Sequence, residues 1–136
     1  MASLDTSCLL RWLIGDIPEQ ARAVEQLMGA QGHLTISDAT LLESVFVLEK
    51  VYGRTRRQIV MAMSRVLGEG AFDMDGSLWF EMFGDYLSRP KLSIMDIYLV
   101  HRAQCDSRGP LYTFDQKLAS QMENTALLAA GSEVRE

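Results

Sequence analysis

Four acidic residues stand where carboxylates do chemistry: Asp5 in SLDTS, Glu43 in TLLESVF, Asp96 in SIMDIYL and Asp115 in YTFDQKL. They are far apart in the chain but share a kind of place. Asp5 and Asp115 each follow a short apolar, strand-like run and precede a helical pattern. Asp96 opens a helix, and Glu43 lies inside an otherwise apolar one. Carboxylates gathered without compensating cations repel one another and raise each other's pKa values. A bound divalent metal removes that penalty, and oxygen ligands suit magnesium or manganese. The pattern therefore predicts one shared acidic site that holds such an ion.

Strands and helices must bring these residues together. The run Ala2-Ser3-Leu4 before Asp5, and Leu111-Tyr112-Thr113-Phe114 before Asp115, read as strands passing straight into helices. In an α/β sheet the carboxyl ends of parallel strands converge on the edge where ligands bind. The coarse reading is strands over 2–5, 34–36, 71–74, 111–114 and 126–129, with helices over 6–14, 18–29, 38–52, 55–68, 77–88, 94–106 and 116–122. Alternating strands and helices predict an α/β fold with a central, mostly parallel sheet of about four to five short strands flanked by helices. Pro18 fits a first helical turn, Gly29 and Gly32 bracket the end of that helix, Gly53 terminates the long helix and Pro90 separates two others. Apolar residues occupy most of the circumference of the helix from Asp38 to Tyr52, so it is expected to be buried on several sides. A glutamate there is costly unless it faces a polar pocket or an ion.

Each acid also has a structural reading. Asp5 and Asp115 fit helix N-caps, and Ser93-Ile94-Met95-Asp96 matches a capping box. Glu43 has no such alternative. Capping and metal binding are compatible, because one oxygen can do each. Asp38 is expected to cap its helix, Asp73 and Asp75 flank a strand-to-helix turn, and Asp16 and Asp85 read as solvated. His101 follows Asp96 by five residues, off its face, and reads as a surface or packing residue. Trp12, Trp79, Phe80 and Phe83 are expected to fill the core or a subunit interface. Arg54, Arg56 and Arg57 cluster after Gly53, while Arg11, Arg102 and Lys117 lie in helices that start near the acids. As a group these cations are candidates for gripping phosphates.

Composition sets the frame. The 136 residues are 48% hydrophobic and 23% charged, which is globular. Residues 1–130 are read as a single domain and 131–136 as a flexible tail. No apolar run approaches the roughly 20 residues needed to span a bilayer, and no basic segment with a long apolar stretch opens the chain, so the expectation is a soluble, unexported, cytoplasmic protein. Cys8 and Cys105 read as reduced core-packing thiols. Without CxxC or HExxH spacing, zinc is not expected. The net charge of −5 argues against a polyanionic partner, but four of those charges belong to the acidic site, where a metal reverses the local field.

The opening hydrophobic-Asp-Thr-Ser, Glu43 about forty residues on, the Asp96 helix and the closing Tyr-Thr-Phe-Asp together resemble the PIN domain, and the size resembles a VapC-type toxin of a toxin–antitoxin pair. The resemblance runs from about Ser3 to Leu128. It implies that Asp5, Glu43, Asp96 and Asp115 form the metal site, with Thr113 and either Thr6 or Ser7 orienting it. It implies a homodimer, an antitoxin that blocks the site, and RNA hydrolysis with magnesium or manganese that leaves a 5′-phosphate and a 3′-hydroxyl. The further acid that often follows the last Asp is absent from Gln116-Lys117-Leu118-Ala119, which leaves one ion or two open.

In this reading Asp5 and Asp96 hold the ion, with Glu43 or Asp115 directly or through water, and Glu43 or Asp115 orients or deprotonates the attacking water. Trp12, Leu13 and Met61 are expected to meet the antitoxin. Two alternatives stand. Another metal-dependent phosphohydrolase would want a second Asp two residues after Asp5, where Ser7 stands. A catalytically idle PIN-like interaction domain would have no need of all four acids.

Overall fold

A computed structural model describes residues 1–129 of the chain, and the tail expected over 131–136 lies outside the described residues. The chain divides into two compact units, Met1–Trp79 and the residues from Phe80 on. The first holds β1 (Ala2–Leu4), α1 (Thr6–Ile14), α2 (Pro18–Gln31), β2 (Leu34–Ile36), α3 (Asp38–Lys50), α4 (Arg56–Leu67), β3 (Phe72–Asp73) and the opening turn of α5 (Gly76–Ser88). Its sheet is parallel in the order β1-β2-β3, with Leu4 opposite Ile36 and Leu34 opposite Phe72. Parallel neighbours need a crossover. The pair α1–α2 makes the first and α3–α4 the second.

Local sequence explains these elements. Leu9, Leu10 and Leu13 form the buried face of α1, which ends at Gly15 in the left-handed region (φ 71°), with the Gly15 N–H donating to the Arg11 carbonyl. Thr55 and Gln58 close a reciprocal capping box at the start of α4, and Ile59, Met63 and Val66 recur at helical spacing on its buried side. The α3 helix is less enclosed than its composition suggests. Leu41, Leu42, Val45 and Leu48 are buried, but Phe46 is 57% exposed and Glu43 is also exposed. Ser44, small and bonded to the Thr40 carbonyl at 2.7 Å, lies on the buried side instead. Glu43 therefore bears no burial penalty.

The second unit holds the rest of α5, then α6 (Ile94–Cys105), β4 (Leu111–Thr113), α7 (Gln116–Gln121) and β5 (Thr125–Leu127). The strands β4 and β5 pair in parallel, Leu111 opposite Thr125. Met82, Tyr86, Leu92, Ile97, Val100 and Leu118 are among its buried residues. All five strands of the sequence reading form and every pairing is parallel, but the ladders are one set of three and one of two. Each strand is only two or three residues long, so each ladder is short.

Several side chains depart from expectation. Trp79 and Phe83 are buried while Phe80 is 76% exposed, and Cys105 is exposed rather than packed. Gly29 lies inside α2, which runs on to Gln31, and α3 ends at Lys50, short of Gly53. Leu13, expected to meet a partner, is buried, whereas Met61 is exposed. Among the described residues no helix is long and apolar enough to cross a membrane.

Candidate active site

Asp5 directly follows β1 and caps α1. Its Oδ1 accepts from the Cys8 backbone N–H at 3.0 Å and from the Ser7 hydroxyl at 2.7 Å. The Cys8 amide first, then the Ser7 hydroxyl, hold this carboxyl below the usual aspartate range. The Cys8 thiol is pushed up, mainly by burial and then by its bond to Asp5. Because β1 and β2 run in parallel, the end of β1 and the start of α3 lie at the same carboxyl edge. Asp5, Thr6 and Ser7 line an open cleft of about 330 Å³ there with Ala39, Thr40 and Glu43. Thr40 and Glu43 are three residues apart and share a face of α3. The α3 cap is Ser37, whose hydroxyl accepts from the Thr40 N–H, so Glu43 has no capping task. Its carboxylate has no partner among the described residues.

The second unit repeats the arrangement. Asp115 follows β4 and caps α7, accepting from the backbone N–H groups of Lys117 at 2.9 Å and Leu118 at 3.3 Å. The Thr113 hydroxyl accepts from the Asp115 N–H at 3.0 Å. Asp96 stands in the first turn of α6, half-buried. The Ser93 hydroxyl accepts from the Asp96 N–H at 3.1 Å, but no reciprocal bond returns, so Ser93 alone is the cap. The Asp96 carboxylate has no partner among the described residues. The helix α6 packs on β4 and reaches it through the short segment 106–110.

The structure thus brings Asp5 and Glu43 into one cleft in the first unit, while Asp96 in the first turn of α6 and Asp115 at the cap of α7 belong to the second. Among the described residues no three His, Cys, Asp or Glu side chains gather closely enough to hold a metal by themselves. The donors in the cleft nevertheless fit magnesium or manganese. They are two carboxylates and three hydroxyls with no nitrogen, and magnesium is usually held by one or two carboxylates while keeping waters and taking substrate phosphate oxygens.

The cationic candidates fare differently. Arg11 is paired with Asp16 at 2.6 Å, so Asp16 is not merely solvated. Arg102 pairs with Asp106 at 3.5 Å and lies 5.9 Å from the centre of the Tyr98 ring. Arg54 lines a second groove, of about 300 Å³, with Leu13, Ile14, Leu48, Gln58, Ile59 and Ala62. Arg57 and Lys117 are exposed and Arg56 is half-buried.

Sequence reasoning missed three arrangements. Thr40 joins the acidic cleft, a place its spacing from Glu43 on α3 could have indicated. Asp38 accepts from the Trp79 indole N–H at 2.9 Å, because Ser37 already caps the helix. Asp85, read as solvated, instead meets the His101 ring Nε2 at 2.6 Å and Arg89 at 3.3 Å. The Asp85/Arg89 spacing of four was visible, but nothing local foretold that α5 and α6 would put His101 there.

The family model described as PIN domain matches residues 2–121. No curated protein and no solved structure matches the chain.

Proposed function

Since the chain belongs to the PIN domain family, whose members are usually nucleases, we propose that it is a magnesium- or manganese-dependent endoribonuclease acting as the toxin of a toxin–antitoxin pair in the cytoplasm. The observation that carries the nuclease reading is the cleft where Asp5, fixed by its cap bonds, and Glu43, committed to nothing else, meet at the carboxyl edge of a parallel sheet.

The division of labour follows from the bonds. Asp5 commits Oδ1 to Cys8 and Ser7, which sets the orientation of the whole carboxylate toward a cation. Glu43, without a competing partner, orients or deprotonates the attacking water. When bound, a divalent ion supplies activation of water near neutral pH and neutralisation of the charge that builds on the attacked phosphate. Thr6 and Thr40 add hydroxyls that hold water or phosphate oxygens in the cleft. The proposal includes two further acids, Asp96, whose carboxylate has no partner among the described residues, and Asp115, which caps α7. The products are a 5′-phosphate and a 3′-hydroxyl. Exposed Met61 and Phe80 are apolar surface that an antitoxin or a second copy in a homodimer would cover.

The test uses the purified full chain, free of antitoxin, with total RNA and Mg²⁺ or Mn²⁺, beside Asp5→Asn, Glu43→Gln, Asp96→Asn, Asp115→Asn and an EDTA control. Discrete cuts lost in every control are expected. Cuts that persist in EDTA would refute the metal requirement, and cuts that persist in Asp96→Asn or Asp115→Asn would remove that residue from the reaction.

A further inference from the structure

Arg11 is held in an unusual way for a surface arginine. Its Nη1 donates to Asp16 Oδ1 at 2.6 Å and reaches the Tyr52 hydroxyl at 3.5 Å, and its side chain is only 26% exposed. The same Asp16 accepts from Tyr52 at 3.5 Å, so two residues of the first unit brace one corner of the guanidinium. Nε and Nη2 donate no hydrogen bond among the described residues. The guanidinium is therefore oriented but not used up. It can still present a pair of donors in the fork geometry that matches a phosphate.

Arg11 also lines a cleft of about 290 Å³ between α1 and α2, together with Ser7, Cys8, Gln20, Ala23 and Val24. Among the described residues no carboxylate lines this cleft. Its polar groups are the guanidinium, an amide, a hydroxyl and a thiol, and its floor is aliphatic. Ser7 lines this cleft and the acidic cleft alike. The two are thus neighbours across a single side chain. Ser7 and Arg11 are one helical turn apart on the same face of α1, about 6 Å along the axis. A strand followed from the acidic cleft past Ser7 along α1 leads from carboxylates to an oriented arginine.

We propose that the α1–α2 cleft is a substrate subsite, in which Arg11 binds the phosphate adjoining the one cut at Asp5 and Glu43 and Gln20 hydrogen-bonds the sugar or base edge beside it. This rests on the nuclease reading. Binding there anchors the strand so that the scissile phosphate is presented to the acidic cleft, and Asp16 and Tyr52 are positioning residues that keep Arg11 turned toward it.

The experiment compares synthetic single-stranded RNA oligonucleotides that contain a mapped cut site and carry one uncharged methylphosphonate, on either side of the cut, with the all-phosphate strand. The parent protein is expected to lose about tenfold to a hundredfold in kcat/KM when the replaced group is the one facing Arg11, the range for a hydrogen bond to a charged group. Arg11→Gln is expected to cut the all-phosphate strand as slowly as the parent cuts the modified one, and to show little further loss on the modified strand. Gln20→Glu leaves the Arg11–Asp16 pair intact and sets a negative charge beside the phosphate, so it should slow the all-phosphate strand with unchanged thermal melting. If Arg11→Gln retains the full methylphosphonate penalty on both sides of the cut, or the parent shows none, the subsite is wrong while the nuclease reading stands. If the parent cuts no strand at all, the nuclease reading falls and the subsite with it.

Discussion

The two compact units carry the same motif with different surroundings. In each, an aspartate just past a strand accepts at its Oδ1 from backbone N–H groups of the helix it caps, Asp5 from α1 and Asp115 from α7. In each, a second acid lies inside a helix whose cap is a serine: Glu43 behind Ser37 and Asp96 behind Ser93. The serine matters because it relieves the helix of any need for the acid. The difference lies in exposure and neighbours. Glu43 is exposed and shares an open cleft with Asp5, Thr6 and Thr40, whereas Asp96 is half-buried in the first turn of α6. Capping explains the strand-end acids in part and the helix acids not at all, so function rests most heavily on the residues with the least structural work.

The largest expected effect exploits that distinction. Glu43→Gln and Asp96→Asn remove charge from carboxylates that bond to no described residue, so each should lower cleavage by about 10²- to 10⁴-fold, the scale of a positioned acid or base, while thermal melting moves little. If cleavage and melting fell together, these residues would be structural and the likeness between the units only a matter of folding. Next in size is a break made in the second unit alone. Asp85→Ala leaves half-buried His101 without its 2.6 Å partner and should lower stability by about 1–2 kcal/mol. Chemical denaturation with probes in each unit should show the loss, and equal melting of parent and variant would mean the contact is idle.

A smaller effect separates capping from charge at the strand ends. Asparagine caps a helix about as well as aspartate, whereas alanine costs about 1 kcal/mol. Asp5→Asn and Asp115→Asn should therefore stay near parental stability and lose cleavage, while the alanine variants lose both. An alanine variant as stable as its asparagine counterpart would show that the cap bonds at 3.0 and 2.9 Å contribute nothing measurable.

How much of this was legible in the sequence depends on the range of the interactions. Helix and strand positions were largely readable because their signals are local: Pro18 at a helix start, the Thr55/Gln58 capping box, Ile59, Met63 and Val66 at helical spacing. The strand-end acids were readable as helix caps for the same reason. Glu43 was identified by an argument only half right. Apolar residues crowd α3, but Phe46 and Glu43 both face outward, since composition cannot say which side of a helix its neighbours leave open. The pairings of Asp16 with Arg11, Asp38 with Trp79 and Asp85 with His101 were not legible. Two of them join residues on different helices and one crosses a helix end, and on its own Asp38 reads as a helix cap while Asp16 and Asp85 read as solvated.

The smallest effect tests whether Arg11 is truly held. The Arg11 guanidinium, bonded to Asp16 at 2.6 Å, keeps the Asp16 carboxyl below its ordinary value of 3.8, while Asp16 first and Tyr52 second push Arg11 further up. A carboxyl whose folded pKa lies below its unfolded one adds stability at pH above the unfolded value, and that contribution fades as pH falls through the folded pKa. The pair should therefore be intact at neutral pH and loosen only below about pH 4, since an aspartate's unfolded pKa is about 3.9. Carboxyl NMR titration should find Asp16 ionising below the ordinary aspartate range in the parent and moving back toward it in Arg11→Gln. Tyr52→Phe should shift it far less, because the hydroxyl stands 3.5 Å from both partners. An Asp16 that titrates like a free aspartate in the parent would mean that Arg11 swings freely, and a swinging arginine gives the first unit no fixed donor beside its acidic cleft.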